Sequence, residues 1–356
     1  MHQDFLENHP ITGKKNINVE NDLHGSVIVP NRIPVVDMRP LLQSDDPKPV
    51  AEKILSACQD LGFFYIYNHE IDHSLQTDYL SQVKQLFSLP LEEKMKFDVR
   101  TSTAHRGYFP LYGENNDPAS SLDLKEGFDV MAEHNLDDPR VVANLPFHGP
   151  NQWPENLSQF KSITMRYYNS MTILATRLMQ AIAVALKLPS GFFSDKLDGP
   201  LAMLRMLHYP SQAGQVNKQV IGTGAHTDYG LLTILLQDMN PGLQVYTPDE
   251  GWVTAPPLEK TFVVNLGDEL QRWSNDQFRS TRHRVINVSG KDRYASPFFF
   301  HAAYDTVIDC LPNCCNADGT SNYSPIRAGD YMWSRFLATF SHYQSPELNL
   351  PTEKQD

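Results

Sequence analysis

Basic charge, cysteine and long apolar runs are all scarce in this chain of 356 residues. Its 30 lysines and arginines are outnumbered by 42 aspartates and glutamates, and they form no basic block. The chain therefore lacks the phosphate-neutralising surface that a nucleic-acid partner requires. No uninterrupted apolar run reaches about 18 residues, and no secretory leader pattern opens the sequence. We therefore expect neither a membrane nor nucleic acid as a partner, and we expect the cytoplasm as the compartment.

The four cysteines are Cys58, Cys310, Cys314 and Cys315. The last three lie within eight residues, 309–316, a spacing that fits either a zinc site or a disulfide. A structural zinc site needs a fourth ligand, and no histidine or cysteine follows before His342. We therefore expect reduced thiols in a surface loop.

Hydrophobic residues make up 41% of the chain, enough for a substantial core in one large domain or in two closely packed parts. Residues 1–31 are polar without a sustained period and predict a loosely held N-terminal arm. Residues 32–150 alternate strand-like and helix-like patterns, which predicts an N-terminal α/β region. Within residues 151–198, an apolar stripe with three-four spacing runs from 154 to 188 and stops before Pro189, as in a long helix that backs a core.

Residues 199–345 differ, because short strand-like runs alternate there with turn signals such as Asn240-Pro241-Gly242 and Ser289-Gly290-Lys291-Asp292. This pattern is typical of a double-sheet jelly roll, whose interior can hold a ligand cavity. We therefore predict a mainly β protein with flanking helices, built on a double-stranded β-helix core with an N-terminal α/β extension.

The most informative segment is Gly224-Ala225-His226-Thr227-Asp228-Tyr229-Gly230. If residues 226–236 form one strand, the side chains of His226 and Asp228 point to the same side. His283 lies in a second strand-like run, 282–288. Two imidazoles and one carboxylate form the facial triad of non-haem Fe(II) oxygenases, which leaves coordination positions free for chemistry. A second His-x-Asp pair, at residues 2–4, lacks strand context, and we reject it.

Arg293 opens an apolar, aromatic run, residues 294–300. A guanidinium at the mouth of such a strand is costly to bury unless it meets an anion, and its fork matches a carboxylate. The arrangement would suit a dicarboxylate cosubstrate. A surface arginine or a salt bridge to a protein carboxylate is the alternative interpretation.

The chain resembles the isopenicillin N synthase-like branch of the 2-oxoglutarate/Fe(II)-dependent dioxygenases over nearly its whole length. The resemblance rests on motifs at residues 33–38, 62–69, 106–108, 123–128, 204–210, 224–230, 265–268, 283–285 and 293–300. It implies that His226, Asp228 and His283 bind Fe(II), and that Arg293 and Tyr209 hold the distal carboxylate of 2-oxoglutarate. It further implies that the enzyme uses O2 to hydroxylate or desaturate a small molecule, with release of succinate and CO2.

Two departures from the family pattern bear on the cosubstrate. The family usually has Arg-x-Ser at the carboxylate site, whereas this chain has Arg293-Tyr294-Ala295, with a serine only at 296. Leu207 stands where many plant relatives have asparagine. Bacterial ethylene-forming enzymes also have Arg-aromatic-Ala, but they carry a longer insertion before the third ligand.

Three alternatives therefore stay open at this stage. The chain could be an oxidase of the isopenicillin N synthase type, in which the equivalent arginine binds a substrate carboxylate. It could form ethylene and succinate, or it could be a non-catalytic metal-binding barrel. The candidates for substrate contact are Tyr108, Arg205 and Phe300, with Arg205 as the group that would meet a substrate carboxylate. Structural roles are expected for three other histidines: His69, His208 and His301.

Overall fold

The computed structural model describes residues 32–116, 121–212 and 220–340, together with the backbone of residues 26–27. Most of the expected N-terminal arm and the rejected pair at residues 2–4 lie outside these residues. The strands are β1 Ser26–Val27, β2 Val35–Asp37, β3 Phe63–Tyr67, β4 Gly107–Phe109, β5 Leu122–Asp123, β6 Glu126–Met131, β7 Pro200–Tyr209, β8 Val220–Ile221, β9 Thr223–His226, β10 Leu232–Gln237, β11 Leu243–Thr247, β12 Gly251–Thr254, β13 Phe262–Leu266, β14 His283–Val285, β15 Arg293–Ala303, β16 Val307–Ile308 and β17 Ile326–Arg327.

The α-helices of the described chain lie mainly in its N-terminal half. They are α1 Arg39–Gln43, α2 Lys48–Asp60, α3 His73–Ser88, α4 Leu91–Lys94, α5 Pro139–Val142, α6 Phe160–Ala185, α7 Asp268–Trp273 and α8 Ala328–Thr339. Short 3-10 turns occur at Met95–Phe97, Val99–Thr101 and Asp195–Leu197. None of the described helices is both long and apolar enough to cross a membrane.

Two sheets form the core of the fold. The major sheet has the strand order β2-β3-β13-β10-β15-β7-β6-β4, and the minor sheet has the order β1-β12-β11-β14-β9. Strands from the N-terminal region therefore extend both edges of the major sheet. The predicted jelly-roll core with flanking helices and an N-terminal extension is confirmed. Strand β1, inside the expected arm, pairs in parallel with β12, which the sequence did not predict.

The alternation of side chains along β15 explains how the major sheet separates core from cavity. Ser296 and Phe298 face the helices, where the Ser296 hydroxyl contacts the Tyr79 hydroxyl of α3 at 2.5 Å and Phe298 packs edge-on against Tyr168 of α6. Residues 293, 295, 297, 299 and 301 face the other side and line a cavity. Because successive strand residues point to opposite faces, one strand serves both surfaces.

Helix α6 lies within residues 151–198, where the sequence predicts a backing helix, but it is shorter than the apolar stripe over 154–188 and spans Phe160–Ala185. Tyr167, Met171, Leu178 and Ile182 are all fully or almost fully buried. The tyrosine ring stacks on Tyr79 with 4.1 Å between ring centroids. Burial of a large apolar side chain stabilises a fold by about 1.5–3 kcal/mol, so this stripe holds the helices against the major sheet.

The expectation of one continuous strand over residues 226–236 is wrong. Strand β9 ends at His226 and β10 begins at Leu232. Between them, the carbonyls of Asp228 and Gly230 accept hydrogen bonds from the backbone N–H groups of Asp268 (2.8 Å) and Glu269 (3.1 Å). The first N–H groups of a helix have no partner within it, so the start of α7 draws these carbonyls out of a strand ladder.

Candidate active site

His226 and His283 lie directly opposite each other on the antiparallel strands β9 and β14. Their ring centroids are 4.3 Å apart. Nδ1 of His226 lies 2.8 Å from the carbonyl of Gly224, and Nδ1 of His283 lies 3.1 Å from the carbonyl of Thr281. A carbonyl only accepts, so each Nδ1 carries the proton and donates it, which leaves both Nε2 lone pairs free for a ligand.

Asp228 completes the group from the turn after β9. Its Oδ1 lies 3.6 Å from Nε2 of His226 and 3.5 Å from Nε2 of His283. Its Oδ2 accepts hydrogen bonds from the Thr233 hydroxyl at 2.5 Å and from the Asn265 amide at 2.7 Å. The carboxylate is thereby fixed with one oxygen turned toward the imidazoles.

The charge state of Asp228 suits a metal ligand. Burial opposes its ionisation, but the neighbouring His283 and His226 outweigh burial and hold the pKa of this carboxyl well below its usual range. The three donor atoms lie within 4.8 Å of one another, and no other group of this kind occurs in the described parts of the chain. Two imidazoles that bind through Nε2 and one carboxylate are the donor set that Fe(II) takes in non-haem oxygenases.

Glycines let the backbone close around this group. A Cβ on Gly267 would lie 2.3 Å from the carbonyl oxygen of Gly230 and 2.9 Å from that of Asp228. Any side chain at position 267 would therefore push α7 away from the turn that carries Asp228.

Arg293 lies at the start of β15, opposite Tyr209 on β7, and both residues line the same cavity as the triad. The guanidinium lies 5.0 Å from the centroid of the Tyr209 ring. Its Nη2 donates to the Gln237 side chain at 2.9 Å, and its Nε donates to the carbonyl of Asn240 at 3.2 Å. Both acceptors are neutral.

Nη1 of Arg293 has no hydrogen-bond partner within the described chain, although the side chain is only 1% exposed. No carboxylate among the described residues forms an ion pair with it. A buried cation without a counter-charge is costly. The Arg293 guanidinium therefore gains a counter-charge only when an anion enters the cavity. A carboxylate matches the geometry of the guanidinium fork.

Ser296 cannot replace the serine that the family usually places near this arginine. It faces the helices, where its hydroxyl donates to the backbone carbonyl of Arg205 at 2.9 Å and contacts Tyr79. Ala295 occupies the cavity side instead, and Leu207 lies on the neighbouring strand at the paired position. The wall beside Arg293 is therefore apolar.

Two of the three predicted substrate residues lie outside the cavity. Tyr108 is buried and donates its hydroxyl to Glu126 at 2.5 Å. Phe300 points into the helix-facing core. The expectation that these two residues line the cavity is therefore wrong. The strand period starting at Arg293 could have identified Phe299 instead, because positions 293 and 299 share a face.

Arg205 does line the cavity, but protein carboxylates already pair with its charge. Its guanidinium donates to both oxygens of Asp129 at 2.7 and 2.9 Å, and to Glu114 at 2.7 Å. Lys125 joins the cluster through ion pairs with Glu114 at 3.0 Å and Asp123 at 2.7 Å. Sequence reasoning missed Glu114 and Lys125 as cavity residues, because only the fold brings these separate segments together.

The three histidines that were expected to be structural each have a partner within the protein. Nδ1 of His69 accepts from the backbone N–H of Ile71 at 3.1 Å. Nδ1 of His208 lies 2.8 Å from Glu126, and Nδ1 of His301 lies 3.0 Å from Glu269. His301 borders the cavity, but its ring is oriented by that buried carboxylate.

Comparisons with known proteins agree with this site. Residues 33–156 match the family described as non-haem dioxygenase in morphine synthesis N-terminal, and residues 200–302 match the 2OG-Fe(II) oxygenase superfamily. The 2-oxoglutarate-Fe(II) type oxidoreductase hxnY of Emericella nidulans is 36% identical over 330 residues, which cover 91% of this chain and 95% of that protein. Homoarginine-6-hydroxylase 2-ODD-C23 of Glycine max is 34% identical, and the match covers 86% of this chain and 97% of that protein.

A solved relative extends the agreement to the fold. A full-length Neurospora crassa protein, solved in complex with alpha-KG and thymine, superposes with a TM-score of 0.77 at 32% identity, covering 86% of this chain and 96% of that one. The fold and the site define a non-haem iron enzyme. This chain belongs to the 2-oxoglutarate/Fe(II)-dependent dioxygenases, and Fe(II), 2-oxoglutarate and O2 are its cofactors and cosubstrates. The predicted family, enzyme class and cofactors are confirmed.

Proposed function

We propose that this enzyme hydroxylates a C–H bond of a small, planar, polar molecule that carries no net negative charge, with release of succinate and CO2. The observation that carries the proposal is the difference between the two arginines of one cavity. Arg293 is buried without a counter-charge, whereas protein carboxylates fully pair with Arg205. Arg293 can therefore bind a carboxylate of a dicarboxylate, whereas the charge of Arg205 is already neutralised by the protein.

The two arginines are far enough apart for two ligands. Arg205 and Tyr209 lie on the same strand, β7, four residues apart. Tyr209 is paired with Arg293 on the neighbouring strand, β15. At about 3.3 Å per residue, the backbone positions of Arg205 and Tyr209 are separated by roughly 13 Å along β7. The triad residues border the same cavity from the minor sheet and its following turn. We assign 2-oxoglutarate to the Arg293 end and the primary substrate to the Arg205 end.

Each group at the Arg293 end of the cavity has a defined role. His226, Asp228 and His283 would hold Fe(II), which supplies the activation of dioxygen when bound. The free N–H of Arg293 and the hydroxyl of Tyr209 would hold the distal carboxylate of 2-oxoglutarate, which fixes the orientation of its reactive end. Thr223 donates its hydroxyl to the Tyr209 oxygen at 3.3 Å and positions it. Apolar residues complete the wall and exclude water: Leu207, Leu235, Leu243, Val285 and Ala295.

The charged cluster at the Arg205 end of the cavity has more carboxylates than cations. Lys125 and Arg205 meet Glu114, Asp123 and Asp129, so the cluster offers no surplus positive charge. A substrate carboxylate would have to displace one of these partners, at a cost of several kcal/mol for the buried charge left behind. Arginine has five N–H donors, of which four are used here, three by the carboxylates and one by the Met203 sulfur at 3.8 Å, so one N–H donor remains for a neutral acceptor.

Aromatic and apolar side chains also line the cavity. They are Tyr229, Phe299, Met332 and Phe336, and the last two belong to helix α8. Flat rings pack favourably against aromatic faces. Thymine, with which the Neurospora crassa relative was solved, is a planar neutral ring with amide edges, and this chemistry supports the proposed substrate class.

A substrate panel tests the proposal. Purified enzyme with Fe(II), 2-oxoglutarate and O2 is given neutral planar heterocycles such as thymine, cationic amino acids such as homoarginine, and aromatic carboxylates. We expect a heterocycle to raise succinate formation above the rate without substrate, and its product to gain the mass of one oxygen atom. Stimulation by the carboxylates alone would contradict the substrate class. A product that has lost two hydrogens would replace hydroxylation with desaturation.

A further inference from the structure

The cysteine-rich segment after β16 has no part in the oxygenase site. Sγ of Cys310 lies 2.8 Å from Sγ of Cys315, and both cysteines are free and partly exposed. The other two cysteines, Cys58 and Cys314, are free but buried. Two thiols of a single loop are therefore held in contact at the protein surface.

Backbone hydrogen bonds hold the loop in this conformation. The N–H of Leu311 donates to the carbonyl of Trp273 at 2.9 Å, and the N–H of Cys314 donates to the carbonyl of Leu311 at 2.8 Å. The sulfurs of both partly exposed cysteines lie 3.5 Å from that same Leu311 carbonyl. The turn thus brings positions 310 and 315 to the same carbonyl, so the contact between them is built into the loop.

A metal site is a poorer explanation of this contact. In the described parts of the chain, no third histidine, cysteine, aspartate or glutamate joins these two sulfurs to form a group with metal-ligand spacing. A structural zinc site requires four ligands. A disulfide requires only the two sulfurs, at a separation of about 2.05 Å, so they must approach by roughly 0.8 Å from their present distance.

We propose that Cys310 and Cys315 form a dithiol site that is reversibly oxidised to an intramolecular disulfide by exchange with glutathione disulfide. A thiolate at Cys315 attacks one sulfur of glutathione disulfide, forms a mixed disulfide and releases one glutathione thiolate. Cys310 then loses its proton and attacks the Cys315 sulfur, which releases the second glutathione. The two protein thiols are oxidised by two electrons, and one glutathione disulfide is reduced to two glutathiones.

The order of attack follows from the surroundings of Cys310. Burial and contact with Cys315 raise the pKa of the Cys310 thiol. A thiol attacks only as its thiolate, which favours Cys310 as the thiol that resolves the mixed disulfide. Oxidation should therefore become faster as the pH rises.

The test is a two-step alkylation of the full chain. The protein is incubated with glutathione disulfide, free thiols are blocked with iodoacetamide, disulfides are reduced, and released thiols are labelled with N-ethylmaleimide for mass spectrometry. We expect the second label on both Cys310 and Cys315, with loss of two hydrogens and no retained glutathione before reduction. Dithiothreitol should restore both thiols.

Variants identify the pair. Cys314→Ser is the matched control and should form the same disulfide, because Cys314 is buried beside the pair. Cys310→Ser should keep one glutathione on Cys315. The proposal would be overturned if the wild-type chain kept stable glutathione adducts. It would also be overturned if Cys314→Ser failed to form the disulfide between Cys310 and Cys315. If a variant fails to fold, the labelling pattern of the wild type alone shows whether Cys310 and Cys315 form the disulfide. This result does not depend on the proposed oxygenase substrate.

Discussion

Asn265 donates its side-chain amide to Oδ2 of Asp228 at 2.7 Å, while both imidazoles of the triad face Oδ1. The asparagine thus does not touch the metal position, but it decides which carboxylate oxygen faces that position. Partners of this kind typically change metal affinity by about 10- to 100-fold when removed.

Asn265→Ala should therefore weaken Fe(II) binding by roughly 10-fold or more. Anaerobic Fe(II) titration measures the effect, with a thermal melt to establish that the variant is folded. Thr233→Val, which removes the other donor to Oδ2, should act in the same direction. Unchanged iron affinity in both folded variants would show that Asp228 is oriented by something else.

Arg293→Leu should raise the KM for 2-oxoglutarate by about 10- to 100-fold. The reason is that charge-assisted hydrogen bonds contribute about 1.5–3 kcal/mol each, and this guanidinium lies beside no protein carboxylate among the described residues. Iron affinity should remain at the wild-type level, because Arg293 makes no contact with the triad. Steady-state kinetics with varied 2-oxoglutarate measure the change, and an unaltered KM would remove Arg293 from the cosubstrate site.

Ala295→Ser and Ser296→Ala form a matched pair on opposite faces of β15. The first adds a hydroxyl to the cavity beside Arg293 and should lower the KM for 2-oxoglutarate by about two- to tenfold, the value of one hydrogen bond of about 0.5–1.5 kcal/mol. The second leaves the buried Tyr79 hydroxyl without its partner, so it should lower the free energy of unfolding by about 1–3 kcal/mol.

The KM for 2-oxoglutarate should stay unchanged in Ser296→Ala. If that variant raised the KM while Ala295→Ser did nothing, the assignment of the two strand faces would be reversed.

Arg205→Met should destabilise the fold by about 3–5 kcal/mol at neutral pH, since it leaves the buried carboxylates of Glu114 and Asp129 without their main partner. Although burial opposes their charge, Arg205 helps to lower the pKa of both carboxyls in the folded wild type. Their contribution to stability is therefore present above the unfolded pKa values, near 4, and is lost as the pH falls below them.

The stability difference between wild type and Arg205→Met should consequently shrink between pH 7 and pH 3. Chemical denaturation at both pH values checks this expectation. A variant that is as stable as the wild type at pH 7, but has lost substrate turnover, would instead make Arg205 a free substrate-binding group.

The sequence located the triad because strand patterns, a third histidine and the downstream arginine agreed with one another. It failed where tertiary contacts decide the outcome. The strand after His226 breaks because the carbonyl of Asp228 accepts from the first N–H of α7, and local propensity cannot reveal that partner. Glu114 and Lys125 reach the cavity only through ion pairs between segments far apart in the chain. The two-residue period of β15 from Arg293 places Phe299, and not Phe300, on the cavity face.

The central claim is that the triad and Arg293 bind iron and 2-oxoglutarate together in one cavity, and an anaerobic absorbance titration tests it most directly. Wild-type protein with Fe(II) should develop a weak visible charge-transfer band as 2-oxoglutarate is added, and exposure to O2 should then yield succinate. Arg293→Leu should require far more 2-oxoglutarate for the same band, and His283→Ala should show none. A wild type without band or succinate, or a His283→Ala protein that retains both, would contradict the account.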